Sequence, residues 1–238
     1  MNAGCGILAT LEAVKDVYKA NPGAGLACGI KNTGIGNGMP DIGRVRLHFD
    51  APGHVAAYTG FTEMGQGLFT IIRQIVADEL GLPGASVSVV VSTEFAVECG
   101  MTTASRATLL CSEAAHRACE AVKATGLPVA ELIGREFMGE IIYDFTTAPE
   151  AGGDTHVAFS YATQVVLLDE AGRLRKVIAA HDVGRVMNRA LCEGQLQGAV
   201  HMGLGFALTE ELAQVGGWPV STELNDLRIL RAKHTPEI

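Results

Sequence analysis

The sequence lacks a run of apolar residues long enough to cross a bilayer. The longest, Val87 to Val91 and the stretch from Gly198 to Leu208, fall short of the roughly 20 residues that a spanning helix needs. A charged-then-apolar leader is also missing, so the expectation is a soluble, cytoplasmic protein with no membrane partner. Its six cysteines, Cys5, Cys28, Cys99, Cys111, Cys119 and Cys192, show no CxxC spacing. Neither a zinc ribbon nor an iron-sulfur cluster of its own is therefore indicated, and reduced, packed thiols are the default. Basic clusters are absent too, and the net charge is -8. A nucleic-acid surface needs concentrated Lys and Arg to neutralise phosphates, which argues against nucleic acid as a partner.

What the sequence has in excess is glycine. Its 29 glycines in 238 residues follow no fibrous period, while a hydrophobic content of 48% is enough for a sizeable core. The backbone therefore needs unusual conformations or close approaches in many places. Leu8, Leu11, Val14 and Val17 share one face of a short opening helix that Asn21-Pro22-Gly23 stops. Two strands follow, Val45 to Phe49 and Val55 to Tyr58, joined by the turn Asp50-Ala51-Pro52-Gly53. From Gly67 to Leu80 the residues Leu68, Ile71, Ile72, Ile75, Val76 and Leu80 recur at helical spacing, and a strand at Val87 to Ser92 comes next. A second helix is expected from Ser105 to Lys123, where Ala107, Leu110, Ala114, Ala118 and Val122 form a narrow stripe that lets another backbone lie close.

Residues Gly126 to Thr155 are less periodic and carry Pro128, Pro149, Gly152 and Gly153, which places a joint near residue 150. Beyond it the pattern restarts with a strand at Phe159 to Leu168, a turn Asp169-Glu170-Ala171-Gly172 and a strand at Leu174 to Ala180. Gly194-Gln195-Leu196-Gln197-Gly198 is then expected to open an apolar helix. The fold class is α+β, with two related units of a hairpin plus a helix over residues 1–150 and 151–238.

Three small-residue segments at expected helix starts carry the candidate chemistry. Between Gly60 and Gly67 a strand ends and a helix begins, so the first turn's unpaired amides and the helix dipole favour an anionic or carbonyl-rich ligand. Gly65 and Gly67 permit close approach, and Gln66 offers both a donor and an acceptor. The second segment is Thr102-Thr103-Ala104-Ser105, with Ser105 as the helix N-cap. Gly194 to Gly198 repeats the glutamine-and-glycine logic. An ordinary strand-helix turn, a simple cap and a glycine-rich packing helix are the structural alternatives for the three. Together they suit one pocket for a polar, planar ligand. Gly34, Gly36 and Gly38 precede a strand instead of opening a helix, so they are no dinucleotide fingerprint. His48, His54, His116, His156, His181, His201 and His234 stand isolated, and no protein-ligated metal site is expected.

Thr62-Glu63-Met64-Gly65-Gln66-Gly67-Leu68, Thr102-Thr103-Ala104-Ser105, His181-Asp182-Val183-Gly184 and Gly194-Gln195-Leu196-Gln197-Gly198 occur in an order and with separations that resemble the molybdenum hydroxylases. Phe159-Ser160-Tyr161-Ala162 and Leu208-Thr209-Glu210-Glu211 extend the resemblance over most of the chain. That family includes xanthine or hypoxanthine dehydrogenases and oxidases and aldehyde oxidoreductases. The resemblance implies a part of the molybdopterin-binding subunit in which Met64, Gly65, Gln66, Thr103, Ala104, Ser105 and Gln195 hold molybdopterin or its cytosine dinucleotide with molybdenum. It also implies hydroxylation of a purine, an N-heterocycle or an aldehyde.

The remainder of the molybdenum subunit and iron-sulfur subunits or domains, with or without FAD ones, would be the partners. The family's general base is a glutamate in a Gly-Glu segment downstream of the equivalent of Pro236-Glu237-Ile238. No catalytic residue is therefore assigned, and Glu140, although it follows Gly139, lies in the wrong place in the order. The chain by itself is expected to be inactive. Arg106-Ala107 and Asn188-Arg189 depart from the family pattern, the latter standing where Asn-Pro is frequent. Alternatives of a different class are a non-catalytic binding or assembly module of the same fold, or a binder of another planar ligand.

Overall fold

A computed structural model describes residues 5–91 and 96–238. The chain divides into two compact units, one continuous from Lys31 to Phe159 and the other built from residues 1–30 and 160–238.

In the continuous unit, helices lie on a four-stranded sheet. Strand β2 (Asp41–Ala51) alternates strictly between buried and half-buried residues, the period expected of a sheet with one covered face. Asp41, Gly43, Val45, Leu47 and Phe49 point inward. It pairs antiparallel with β3 (His54–Thr59), which confirms the expected hairpin, and the register shifts between His48 and Ala51. The chain then crosses by α2 (Leu68–Leu80) to β4 (Val87–Val91), which runs parallel to β3. The expected strand extended to Ser92, which lies outside the described residues.

Helix α3 (Ala107–Lys123) follows, and β5 (Glu136–Tyr143) closes the order β4-β3-β2-β5. Strand β5 lies within residues 126–155, read from the sequence as less periodic and given no strand, and pairs with β2 over eight positions from Asp41↔Tyr143 to His48↔Glu136. The α3 stripe is a groove for glycines. A Cβ at Gly43 would meet Leu110 at 2.7 Å, and one at Gly139 would lie 1.9 Å from the Ala114 carbonyl oxygen. Arg44 and Arg46 on the opposite face pair with Glu140 and Glu136 of β5.

The other unit opens with α1 (Ile7–Ala20). Its inner face is Thr10, Val14 and Val17, whereas Leu8, expected on the buried stripe, is 62% exposed. Thr10 takes the inward place because its hydroxyl meets Thr163 Oγ1 at 2.9 Å, so a polar pair is satisfied within the core. The sheet has the order β1-β6-β7, made of β1 (Gly25–Thr33), β6 (Ala158–Leu168) and β7 (Leu174–Asp182). Asp169 shapes the β6-β7 turn by accepting from the amides of Ala171 and Arg173, and Gly172 takes the left-handed position. Helix α4 (Arg189–Leu208) and a small ribbon of β8 (Gln214–Val215) and β9 (Trp218–Pro219) complete it. The core here is small, centred on Val14, Val165 and Leu167. Only Val200 and Gly205 of α4 are buried, and Phe206 is 81% exposed. Among the described residues, no helix is long and apolar enough to cross a membrane.

Candidate functional site

The segment between β3 and α2 begins with a forced glycine. A Cβ at Gly60 would lie 2.3 Å from the Val97 carbonyl oxygen. Gly67, left-handed at φ 85°, is the N-cap position of α2 and supplies no side chain to cap it. Glu63 does that work from four residues upstream. Its carboxylate accepts from the amides of Gly65 at 2.8 Å, Gly67 at 3.0 Å and Phe69 at 3.0 Å. Partial burial pushes this carboxyl up, but the Phe69, Gly67, Gly65 and Gln66 amides outweigh it and hold the group below its ordinary value. Gln66 is likewise turned inward, donating from Nε2 to the Thr62 carbonyl at 2.8 Å and accepting from the Met64 amide.

The sequence reading had these amides facing outward to a ligand and Gln66 free. Instead the loop satisfies its own donors, because a carboxylate placed just before a helix is the nearest available anion. At the tip Met64 is 68% exposed, and a Cβ at Gly65 would meet nothing within 4 Å.

The second segment meets the first. Thr102 Oγ1 accepts from the Thr62 amide at 2.9 Å, and the Ala104 carbonyl accepts from the Gly34 amide at 3.0 Å. Ser105 is not the N-cap of α3. Ala104 and Ser105 are both left-handed, at φ 56° and 53°, Arg106 holds the cap position, and the helix starts at Ala107. Two consecutive non-glycine residues in that region are costly and persist only where neighbours over-determine them. Thr103 and Ser105 are exposed, and among the described residues their hydroxyls have no partner. The structure thus joins the segment leading to Met64, Gly65 and Gln66 to the one leading to Thr103, Ala104 and Ser105, at Thr62 and Thr102 of one unit.

Gln195 belongs to the other unit. Helix α4 opens at Arg189, with Asn188 Oδ1 accepting from the Leu191 amide at 3.0 Å. Gly194 to Gly198 is therefore inside the helix and not at its start, a correction that the Asn cap explains. Gln195 is exposed, and among the described residues its amide has no partner. Gly194, Gln197 and Gly198 line a groove of about 450 Å³ with His201, Thr235 and Pro236. Asp182, in the motif after His181, closes a turn by accepting from the Gly184 amide at 3.0 Å.

Residues to which the sequence reading gave no site role complete the picture. Arg106 and Asp41 form an ion pair at 3.1 Å that is almost wholly buried. A lone Arg in an otherwise apolar, small-residue stretch was the available signal. His116, expected to be isolated, bonds Glu79 at 2.8 Å, and with Glu120 these ligand atoms lie within 4.8 Å of one another. Lys123 already bonds both Glu79 and Glu120, so a cationic charge is present and the group is an ion-pair cluster. Its hydrogen bond, with that of His116, holds Glu79 below the usual carboxylate value.

At this junction Gly65 is open, Met64 is exposed, and among the described residues the hydroxyls of Thr103 and Ser105 have no partner. The molybdopterin cofactor-binding domain family matches the chain twice in succession, over residues 8–138 and 138–236. Among curated proteins, the chain is 26% identical to the 6-hydroxypseudooxynicotine dehydrogenase complex subunit gamma of Paenarthrobacter nicotinovorans, covering 96% of this chain and 34% of that protein. It is 25% identical to the xanthine dehydrogenase molybdenum-binding subunit of Escherichia coli O157:H7, covering 80% of this chain and 30% of that protein. The chain thus spans about a third of the length of the curated relatives it matches. The crystal structure of the aldehyde oxidoreductase from Desulfovibrio desulfuricans superimposes with a TM-score of 0.76 at 19% identity, over 87% of this chain and 26% of that one, a likeness of fold. With two successive matches covering nearly all of its residues, and an α+β architecture shared with that solved aldehyde oxidoreductase, the chain belongs to the molybdopterin cofactor-binding domain family.

Proposed function

We propose that this chain is the pterin-holding part of a molybdenum oxidoreductase that hydroxylates purines or related N-heterocycles, in the manner of xanthine or hypoxanthine dehydrogenases. The observation that carries the reading is the junction in which the Thr62 amide bonds Thr102 Oγ1, because it sets the two loops of the family pattern side by side. The likeness to the Escherichia coli xanthine dehydrogenase subunit supports a purine, and that to the Paenarthrobacter 6-hydroxypseudooxynicotine dehydrogenase subunit supports an N-heterocycle.

When bound, the molybdenum-pterin group supplies the redox metal for oxygen insertion at an sp² carbon. This chain's part is to hold the group. Thr103 and Ser105 offer their hydroxyls, Ala104 its backbone, and Met64 and Gly65 an uncluttered tip. Gln66 acts by fixing that tip through its bonds to Thr62 and Met64, a role different from a free amide grip. Gln195 offers its amide from α4. None of these residues moves a proton in the reaction, and no catalytic residue is assigned.

We take residues 1–150 and 151–238 as two related stretches of sequence, in keeping with two successive matches to one family that meet at residue 138, although α1 of the first stretch folds with the second. The remainder of a molybdenum subunit would cover the exposed Met202, Phe206 and Trp218. Iron-sulfur and flavin partners would carry the electrons away, in the cytoplasm.

The test is molybdenum and pterin analysis of the full-length protein purified with its partners, followed by anaerobic reduction of the metal centre with purines, N-heterocycles and aldehydes in parallel. Stoichiometric molybdenum and reduction by purines are expected. Reduction by aldehydes alone would make it an aldehyde oxidoreductase, and absence of both metal and pterin would leave a non-catalytic module.

A further inference from the structure

Arg106 is 1% exposed, yet every edge of its guanidinium is engaged. Nε donates to the Met101 carbonyl at 3.1 Å. Nη2 donates to the carbonyls of Cys99 at 2.6 Å and Met101 at 2.7 Å, and Nη1 to Asp41 Oδ1 at 3.1 Å. The guanidinium carbon stands 5.1 Å from the ring centroid of Phe61, the residue that leads into the Thr62 to Gly67 loop. Asp41, fully buried, accepts in turn from the amides of Ile35 at 3.1 Å and Gly36 at 3.4 Å.

Glycine is obligatory along that third segment, since a Cβ at Gly34 would lie 2.6 Å from Asp41 Oδ2. Three stretches of chain with no regular structure of their own, at 34–36, 61–62 and 99–105, thus converge on one pair of charges. The bonds from the Gly34 amide to the Ala104 carbonyl and from the Thr62 amide to Thr102 Oγ1 close the ring between them.

A buried ion pair is seldom the most stable filling for a core, because desolvation cancels much of its attraction and an apolar pair of like volume often does as well. What an apolar pair does not do is aim carbonyls and amides. Here Arg106 holds the Cys99 and Met101 carbonyls just before Ala104 and Ser105, the consecutive left-handed residues whose strain must be held by their surroundings, and Asp41 holds the Ile35 and Gly36 amides beside them. We propose that Arg106 and Asp41 are positioning residues that set the Thr103-Ala104-Ser105 turn, and the Met64 to Gln66 tip beside it, in the geometry that receives the pterin. This rests on the reading that these loops hold that group. Neither residue touches the ligand.

The test uses the full-length protein with its partners in four forms: unaltered, Arg106→Lys, Asp41→Asn, and the double variant Asp41→Asn with Arg106→Met. The double variant separates position from stability, because it removes both buried charges together and leaves neither unpaired. Pterin released per folded molecule is measured by fluorescence, and amide hydrogen exchange is followed over residues 61–69 and 99–106. Each altered form is expected to fold, to retain at least about tenfold less pterin, as loss of a preorganised site implies, and to exchange faster in both segments. Ile72→Val, a core change in α2, should leave pterin content unchanged.

Full pterin content in a folded double variant, or faster exchange at 99–106 without any change at 61–69, overturns the positioning role while the cofactor reading stands. Absence of pterin from the unaltered protein overturns the cofactor reading, and this proposal with it.

Discussion

Gly139 carries the tightest packing constraint in the four-stranded sheet, and replacing it tests the helix-on-glycine arrangement directly. In Gly139→Ala the new Cβ would lie 1.9 Å from the Ala114 carbonyl oxygen and 2.5 Å from the Ala118 amide nitrogen of α3. Non-bonded heavy atoms rest at roughly 3.5–4.0 Å, so α3 must retreat by more than an ångström or β5 must leave it. No rotamer change relieves the contact, since both atoms are helix backbone and the inner face of α3, with Leu110, Ala114, Ala118 and Val122, is already buried. Overpacking costs about 1–3 kcal/mol, and a site without a flexible side chain belongs at the upper end, about 3 kcal/mol. For a chain of this size each kcal/mol shifts melting by roughly 2–4 °C, which gives a fall of roughly 6–12 °C. Thermal unfolding reads the total, and hydrogen exchange over residues 107–123 assigns it to α3. Gly84→Ala is the matched control, because a Cβ there meets nothing within 4 Å. It should leave melting unchanged or raise it through the unfolded state by up to about 1 kcal/mol. A Gly139→Ala protein that melts with its parent and keeps α3 protected would refute the close approach of helix and strand.

Two further outcomes follow from the titratable groups. Glu63 titrates below its ordinary 4.5 in the folded chain, so its contribution to stability is complete above the unfolded value and disappears as pH falls through the depressed folded one. The stability gap between the parent and Glu63→Gln, measured by denaturant unfolding across pH, should therefore be widest near neutrality and close in acid; a gap that persists in acid contradicts the capping role. Burial pushes the thiols of Cys111 and Cys119 up to about 12, whereas Cys28 is exposed. Iodoacetamide at neutral pH should label Cys28 in the native protein and spare the other two until it unfolds, as peptide mass mapping will show; early labelling of Cys111 would contradict its placement.

Much of the fold was legible because its patterns are local. The helical period from Leu68 to Leu80 and the alternation through Val45 to Phe49 each state which face is buried. Strand β5 escaped because Gly139 interrupts its inward face between Phe137 and Ile141, where the close contact with α3 leaves no side chain to continue the alternation. Chain order does not reveal that α1 belongs with the later unit, since that depends on a hydroxyl pair between Thr10 and Thr163. In the candidate site the motifs named segments that meet at Thr62 and Thr102, but their internal hydrogen bonds differ from the sequence reading. Glycines around Gln195 suggested a helix start, but the cap was Asn188. Ser105 had the composition of a cap and adopted a left-handed backbone, because Arg106 is drawn into the interior toward Asp41. Such a pairing across 65 positions has no local signature.

In the proposed cofactor-holding role, the Glu63 carboxylate bears on assembly kinetics as well as on structure. A loop whose amides already answer to an internal anion has little conformational freedom left to surrender when it meets a partner, so most of the ordering cost falls at folding and not at docking. Such a surface favours capture on first encounter over slow annealing around a guest. Its speed of loading would then be governed by access to the tip at Met64 and Gly65.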